Sequence, residues 1–379
     1  MGTVILGGLI KMSITSMSQN KREITKFETN IIKGLAIILL CSHHFLAMTI
    51  SKEYDKCSIF SADTLEKLRL MTRVCVWLFA FCSAYGITKI YKKKNESNIS
   101  FVFRRWISLM QSYWFAFLIY VVIELINGQD VMLKYSNNIW YLLIDIFGLG
   151  DFFGTPKLTG VFWYMTFAQV LIVFLPLLIE LCRKFKLYTV IVAYFAFPFL
   201  EPGIVSYHGG NYKDYLIVVL LAILISDNEI FEKIDISSIK NKLLSFFGLL
   251  IIIAVGSYAR LKILTVQFEI NSQRLQGVLA AVVAVSIACF GLTFCKGILG
   301  KLLNVLGKYS GNIFYVHNAI LAYYFSQIMW AKSSLVGLIT LIVICVAISF
   351  VMEFIKKIVR YNVFWKKFTD FVLKIEKKF

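Results

Sequence analysis

The segment Lys33-Gly34-Leu35-Ala36-Ile37-Ile38-Leu39-Leu40-Cys41-Ser42-His43-His44-Phe45 is an apolar run with one lysine at its start and two adjacent histidines near its end. It belongs to the first of ten apolar stretches of about the length that a helix needs to cross a bilayer, roughly 17–25 residues. The sequence therefore predicts an all-α, polytopic helical bundle with about ten transmembrane helices. We place these near residues 31–50, 70–90, 106–127, 160–181, 187–201, 212–227, 243–260, 275–294, 312–330 and 335–355.

The composition favours the bilayer as the solvent for most of the chain. Of the 379 residues, 59% are hydrophobic and 16% are charged, and the mean hydropathy is +0.73. A typical water-soluble domain is about a quarter charged and could not bury this much apolar surface. One further apolar stretch, residues 139–153, contains Asp145 and Asp151. We expect it to lie at the interface or to re-enter the membrane rather than to span it.

The distribution of lysine and arginine predicts the orientation. With a cytoplasmic N-terminus, the inner segments hold 27 of the 40 basic residues and the outer segments hold 11, and Lys33 and Arg73 complete the total. Positively charged loops tend to stay in the cytoplasm, so we predict that both termini are cytoplasmic. Residues 1–30 form a short N-terminal segment, and residues 356–379 form a basic amphipathic tail on the inner leaflet. The net charge of +18 then reflects contact with anionic lipids and requires no nucleic acid.

The eight cysteines follow no metal-binding or disulfide pattern. No two of them have the Cys-x-x-Cys spacing, and most fall inside apolar stretches. We interpret them as packing residues and predict neither a metal site nor a bound cofactor.

The polar residues of the first span are the strongest functional candidates, because ionisable groups inside a membrane are costly. Lys33 and His44 are eleven residues apart, which places them within about 20° of the same helix face and separates them by about 16 Å along the axis. His43 points about 100° away. Histidine can act as a general base or acid. The alternative is that Lys33 only reaches for the headgroups and that the two histidines are packed polar residues.

Five stretches, spread over about residues 28–355, suggest a family. They are Lys33 to His44, Val76-Trp77-Leu78-Phe79-Ala80-Phe81-Cys82-Ser83-Ala84-Tyr85-Gly86, Arg104-Arg105 with Tyr113-Trp114, Gly160-Val161-Phe162-Trp163-Tyr164, and Leu306-Gly307-Lys308-Tyr309-Ser310-Gly311-Asn312-Ile313-Phe314-Tyr315-Val316-His317. In this order they resemble the motifs of the acyltransferase 3 family of membrane O-acyltransferases. Two positions depart from that pattern. Ala84 replaces a usual glycine, and Asn30 stands where many members carry an aspartate.

The resemblance implies that residues 31–355 form a membrane acyltransferase domain in the bacterial cytoplasmic membrane. It implies transfer of an acyl group, usually acetyl, from a cytoplasmic donor such as acetyl-CoA to a sugar hydroxyl of a cell-surface polysaccharide or lipid-linked glycan. His44 would activate the hydroxyl or carry the acyl group, and Lys33 would hold the phosphate-rich donor. The candidates for substrate binding are Arg73, His317, Arg104, Arg105, Trp163, Tyr85, Ser83 and His43.

Simpler roles remain open for most of these candidates. The arginines suit ordinary interfacial positions, and Ser83, Tyr85 and Trp163 suit packing positions. Two other functions also fit about ten spans with a polar pair inside the membrane. One is a transporter or flippase for a lipid-linked sugar, although the chain shows no internal repeat and has only four prolines. The other is a glycan polymerase or lipid-sugar glycosyltransferase.

Overall fold

The computed structural model describes residues 24–54, 57–196, 212–233, 242–265 and 270–376. Within these ranges the regular secondary structure consists of α-helices and 3₁₀ turns. Two 3₁₀ turns, Gly160–Phe162 and Tyr212–Tyr215, lead into α7 and α9. The α-helices are α1 (Lys26–Ser51), α2 (Ala62–Thr72), α3 (Cys75–Lys92), α4 (Asn98–Ile126), α5 (Val131–Lys134), α6 (Ile139–Ile146), α7 (Trp163–Phe185), α8 (Leu187–Ala196), α9 (Leu216–Asp227), α10 (Ile230–Lys233), α11 (Lys242–Thr265), α12 (Ile270–Phe294), α13 (Gly297–Lys308), α14 (Ser310–Ile328), α15 (Ser334–Ile358) and α16 (Tyr361–Glu376).

Seven helical segments of the described chain are long and apolar enough to cross a membrane. They comprise α1, the α2–α3 unit, α4, α7 with its 3₁₀ turn, α15 and most of α11 and α12. The helices at the other three predicted positions are not among these seven candidate spans. Helix α8 has 10 described residues, α9 has 12, and α14 has 19 but carries several polar side chains. The fold is thus an all-α bundle with seven candidate spans, and ten crossings with cytoplasmic termini stay a prediction.

Whole faces of the outer helices expose large apolar side chains. Leu244, Phe247 and Ile251 are exposed along α11, and Val343 and Phe354 are exposed along α15. Apolar patches of this extent are rare on water-soluble monomers. These faces therefore suit contact with lipid.

Helix α1 lies at the centre of the bundle and contacts α2, α3, α12, α13, α14 and α15. A capping box closes its N-terminus, in which the Glu28 amide donates to the Thr25 hydroxyl at 3.2 Å and the Thr25 amide donates to the Glu28 carboxylate at 2.9 Å. Ala36, Ile37 and Cys41 are almost completely inaccessible. Polar side chains on α1 are consequently placed against neighbouring helices.

Helices α1 and α13 approach each other at a distance that glycine permits. A Cβ atom on Gly34 would lie 2.2 Å from the carbonyl oxygen of Leu303, and a Cβ atom on Gly307 would lie 1.8 Å from that of Asn30. Beside this crossing, the Asn30 amide donates a hydrogen bond of 3.0 Å to the Asn304 side-chain oxygen. Asn30, which replaces the aspartate of the family pattern, therefore has a structural partner.

The connection between α4 and α7 folds back into the bundle. The hydroxyl of Tyr113, midway along α4, donates to the backbone carbonyl of Asp145 at 2.6 Å. The Asp145 carboxylate accepts hydrogen bonds of 2.7 Å from the Tyr135 hydroxyl and the Leu158 amide. Helix α6 thus returns to the depth of mid-α4, which is the geometry of a re-entrant segment.

The C-terminal tail forms a helix, α16, that packs on the middle of α4. The rings of Trp365 and Trp114 are 4.9 Å apart, and the Tyr361 hydroxyl donates to the Gln111 carbonyl at 2.8 Å. The contact of this helix with the inner leaflet stays a prediction.

We expect Gly307→Ala to destabilise the protein, because the new Cβ would collide with the backbone of α1 rather than with a movable side chain. Overpacking of this kind costs about 1–3 kcal/mol. The thermal midpoint of the detergent-solubilised protein should fall measurably. Gly311→Ala is the matched control, since no atom lies within 4 Å of its added Cβ. Equal midpoints for both variants and the wild type would show that the close crossing is wrong.

Candidate active site

The His44 ring packs against the ring of His317, which the chain brings in from α14. The two ring centroids are 4.9 Å apart with an interplanar angle of 51°. His317 has no exposed surface. The two helices that carry the strongest sequence-predicted histidines are therefore in direct contact at this point.

Backbone contact fixes the tautomer of His317. Its Nδ1 lies 3.1 Å from the carbonyl oxygen of Ile313. A carbonyl oxygen can only accept, so Nδ1 carries the hydrogen, and in the neutral ring the lone pair is on Nε2. Nε2 is buried and has no hydrogen-bond partner within the described part of the chain. The site thus holds a buried acceptor nitrogen beside His44.

His43 extends this pair to a row of three imidazoles, which we call the histidine row (His43, His44 and His317). The His43 and His44 centroids are 4.9 Å apart in an edge-on arrangement. His43 Nδ1 donates to the Arg69 carbonyl oxygen on α2 at 2.8 Å, by the same tautomer argument. The row therefore runs from α2, across α1, to α14.

Lys33 lies on α1, about 16 Å below His44 along the helix axis. Its side chain is partly buried and is close enough to Cys82 on α3 to act on it electrostatically. Within the described ranges its ammonium group makes no salt bridge. Lys33 is thus a cation on the histidine face of α1.

Aromatic rings connect the histidine row to two more predicted residues. The His317 and Phe314 centroids are 6.2 Å apart, and Phe314 lies 5.2 Å from Tyr164. Tyr164 interacts with Ser83 of α3 through its hydroxyl, and its ring is 5.8 Å from that of Trp163. Ser83 and Trp163 thus belong to the wall that adjoins the site.

Other predicted residues lie elsewhere in the fold. Tyr85 is buried and donates to Glu232 at 3.0 Å. Arg104 pairs with Glu96 at 3.2 Å and with Asp370 at 3.6 Å, and the Arg105 guanidinium lies 5.7 Å from the centre of the Phe101 ring. The two arginines are near the N-terminal end of α4, about 12–14 Å along the helix from Tyr113, whose ring lies 6.0 Å from that of Tyr315 on α14. The structure does not bring these three side chains to the histidine row.

The comparison with protein families agrees with this layout. The acyltransferase domain model of the acyltransferase 3 family matches residues 28–354, which is most of the chain. The chain belongs to this family. It is therefore a membrane acyltransferase. No match was found among curated proteins or among solved structures.

The acyltransferase contains, among its described residues, no group of three or more His, Cys, Asp or Glu side chains that could hold a metal ion. All eight cysteines are free thiols, and six of them are buried. The burial of these six side chains suits a role in packing.

Sequence reasoning missed Arg260 of the acyltransferase. At the end of an apolar stretch it looks like an ordinary interfacial arginine, yet it is only 1% exposed. Its guanidinium lies 5.0 Å from the centre of the Trp77 ring. The positive charge of Arg73, the C-cap residue of α2, lies close enough to repel that of Arg260. A single sequence carries no signal for this burial, because tertiary packing decides which side of α11 contacts α2.

If His44 and His317 act as one unit, their substitutions should not be additive. We expect His44→Ala and His317→Ala each to lower the acyl-transfer rate about 10²–10⁴-fold. The double variant should be no slower than the slower single variant. Initial rates with the purified protein would test this. Multiplication of the two losses would mean that the rings act independently.

Proposed function

We propose that this acyltransferase is an O-acetyltransferase of the bacterial cytoplasmic membrane. It moves an acetyl group from cytoplasmic acetyl-CoA to a sugar hydroxyl of a cell-surface or lipid-linked glycan. The observation that carries the proposal is the ring contact of His44 with His317, whose Nε2 is buried without a partner among the described residues, in a member of an acyltransferase family. Acyl transfer to a hydroxyl needs a base at the reacting oxygen.

The proposed step is proton removal by His44 during attack on the thioester. The sugar oxygen forms a bond to the acetyl carbonyl carbon as His44 takes the hydroxyl proton, and the carbon–sulfur bond then breaks. His44 returns the proton to the departing thiolate, which leaves as free coenzyme A. Alternatively His44 first carries the acetyl group, which uses the same lone pair.

His317 suits the role of a positioning residue for His44. Its Nε2 is free to accept a hydrogen bond from the His44 ring, because its Nδ1 is committed to the Ile313 carbonyl. Such a bond would hold the His44 tautomer and stabilise the imidazolium that forms during proton transfer. No other polar side chain is needed for this step.

Lys33 is suited to bind the acetyl-CoA donor. With the predicted cytoplasmic N-terminus, Lys33 lies near the inner surface and His44 lies deeper, about 16 Å along one helix face. A cation there would hold the phosphates of the donor while its long pantetheine arm carries the thioester towards His44. Arg104 is less suited to this role because two carboxylates already neutralise it.

His44→Ala should lower the incorporation of label from radioactive acetyl-CoA into glycan by about 100-fold or more, because a lost general base costs about 10²–10⁴. Membranes with equal amounts of protein should be compared. Ser42→Ala, two residues away on the same helix, is the control and should keep normal activity. Normal acetylation by the His44→Ala protein would show that the assignment is wrong.

A further inference from the structure

Arg260 is a buried cation whose hydrogen-bonding capacity is largely unused. Its Nη1 donates to the Met71 carbonyl oxygen at 3.4 Å. Its Nε and Nη2 are buried and have no hydrogen-bond partner among the described residues. Burying a charge without compensation is costly, so buried charges are normally paired. The face of Trp77 offers only weak compensation.

The neighbouring arginines are better neutralised. Arg69 donates to the Glu66 carboxylate at 2.6 Å, and Arg73 interacts electrostatically with Asp214. By contrast, over the described ranges no carboxylate forms a salt bridge with Arg260. Among the described residues, Arg260 is therefore the arginine of this cluster for which no carboxylate partner is found.

The two unused atoms point to a particular kind of ligand. Nε and Nη2 lie on one edge of the planar guanidinium and present two parallel N–H groups. This fork matches the paired oxygens of a carboxylate or a phosphate, which arginine binds bidentately. A water molecule or a single carbonyl group would satisfy only one of the two donors.

The cluster lies next to the histidine row. All three arginines are close enough to act electrostatically on His43, and the His43 ring touches His44. A ligand group held by Arg260 would therefore lie near the place where we expect the acceptor hydroxyl.

We propose that Arg260, beside Arg73, forms an oxyanion-binding subsite for the acceptor glycan. The subsite takes a carboxylate or phosphate group of the glycan and so directs a nearby hydroxyl to His44. The acceptor class is then an anionic glycan. The identity of the ligand as an acceptor rests on the proposed function, whereas the binding of an oxyanion does not.

The test is a binding measurement that needs no acyl transfer. Purified full-length protein is titrated with glucuronate, glucose 1-phosphate or glucose at constant ionic strength, and the thermal midpoint is followed. The wild type should be stabilised by one or both anionic sugars and not by glucose. The larger shift distinguishes a carboxylate from a phosphate ligand.

Variants connect the binding to Arg260. Arg260→Gln should abolish the anion-dependent stabilisation, and Arg260→Lys, which keeps the charge but loses the fork, should weaken it about tenfold or more. Lys262→Gln removes the same charge from an exposed side chain of the same helix and should bind as the wild type does. Because Arg260→Lys keeps a buried cation, it separates loss of binding from loss of folding. The inference is overturned if the wild type binds neither anionic sugar or if Arg260→Gln binds as well as the wild type.

A second assay separates this subsite from the proposed function. Acetyl transfer is measured to a uronate-containing oligosaccharide and to its carboxyl-reduced form. Anion binding without transfer to any glycan would contradict the proposed function alone. Equal transfer to both oligosaccharides, lowered equally by Arg260→Gln, would contradict the subsite alone.

Discussion

A polar side chain inside a membrane-embedded bundle must find its hydrogen-bond partners within the protein, because lipid offers none. Most polar groups at the centre of this molecule obey that constraint. His43 and His317 both donate to backbone carbonyls, and Asp145 collects several donors. Against this background the exceptions are informative. Among the buried polar atoms without partners in the described structure, Nε2 of His317 and the Nε/Nη2 edge of Arg260 are the ones on which the proposed site depends.

Both of these exceptions lie close to the histidine row. The His317 ring packs against the His44 ring, and Arg260 acts electrostatically on His43, whose ring also packs against His44. Buried groups that are left unsatisfied cost stability, and proteins concentrate such costs at functional sites. The arrangement suits a reaction centre in which His317 supports His44 while Arg260 holds an anionic group of the substrate nearby.

The central position of α1 makes this arrangement possible. Glycines at its crossing with α13 let the two backbones meet, and this packing holds α1 among six other helices. Lys33 and His44 consequently share one inward-facing surface of a rigid helix. A path from donor to acceptor along one helix requires no large movement of the polar groups that line it.

Sequence alone predicts the parts that depend on local pattern. The apolar stretches indicate the long helices, and the helical repeat places Lys33 and His44 on one face. The order of weak motifs indicates the family that the comparison confirms. No local pattern encodes the contact of His44 with His317, which the sequence offers only as a separate candidate for substrate binding.

The remaining features depend on tertiary packing. Arg260 has the sequence environment of an interfacial residue, and only the contact of α11 with α2 buries it. Tyr85 and Arg104 occupy motif positions, yet long-range partners, Glu232 and Asp370, engage them away from the histidine row. The number of membrane crossings also depends on packing, and not only on the hydropathy of each stretch. Polar residues that face other helices lower the hydropathy of α14 without exposing them to lipid.

The most direct measurement is an experimental structure of the protein with a non-hydrolysable acetyl-CoA analogue. The account predicts that the acyl carbon lies within about 3.5 Å of an imidazole nitrogen of His44, the separation of a reactive arrangement, with the donor phosphates at Lys33. An acyl group bound away from the contact between α1 and α14 would contradict the account.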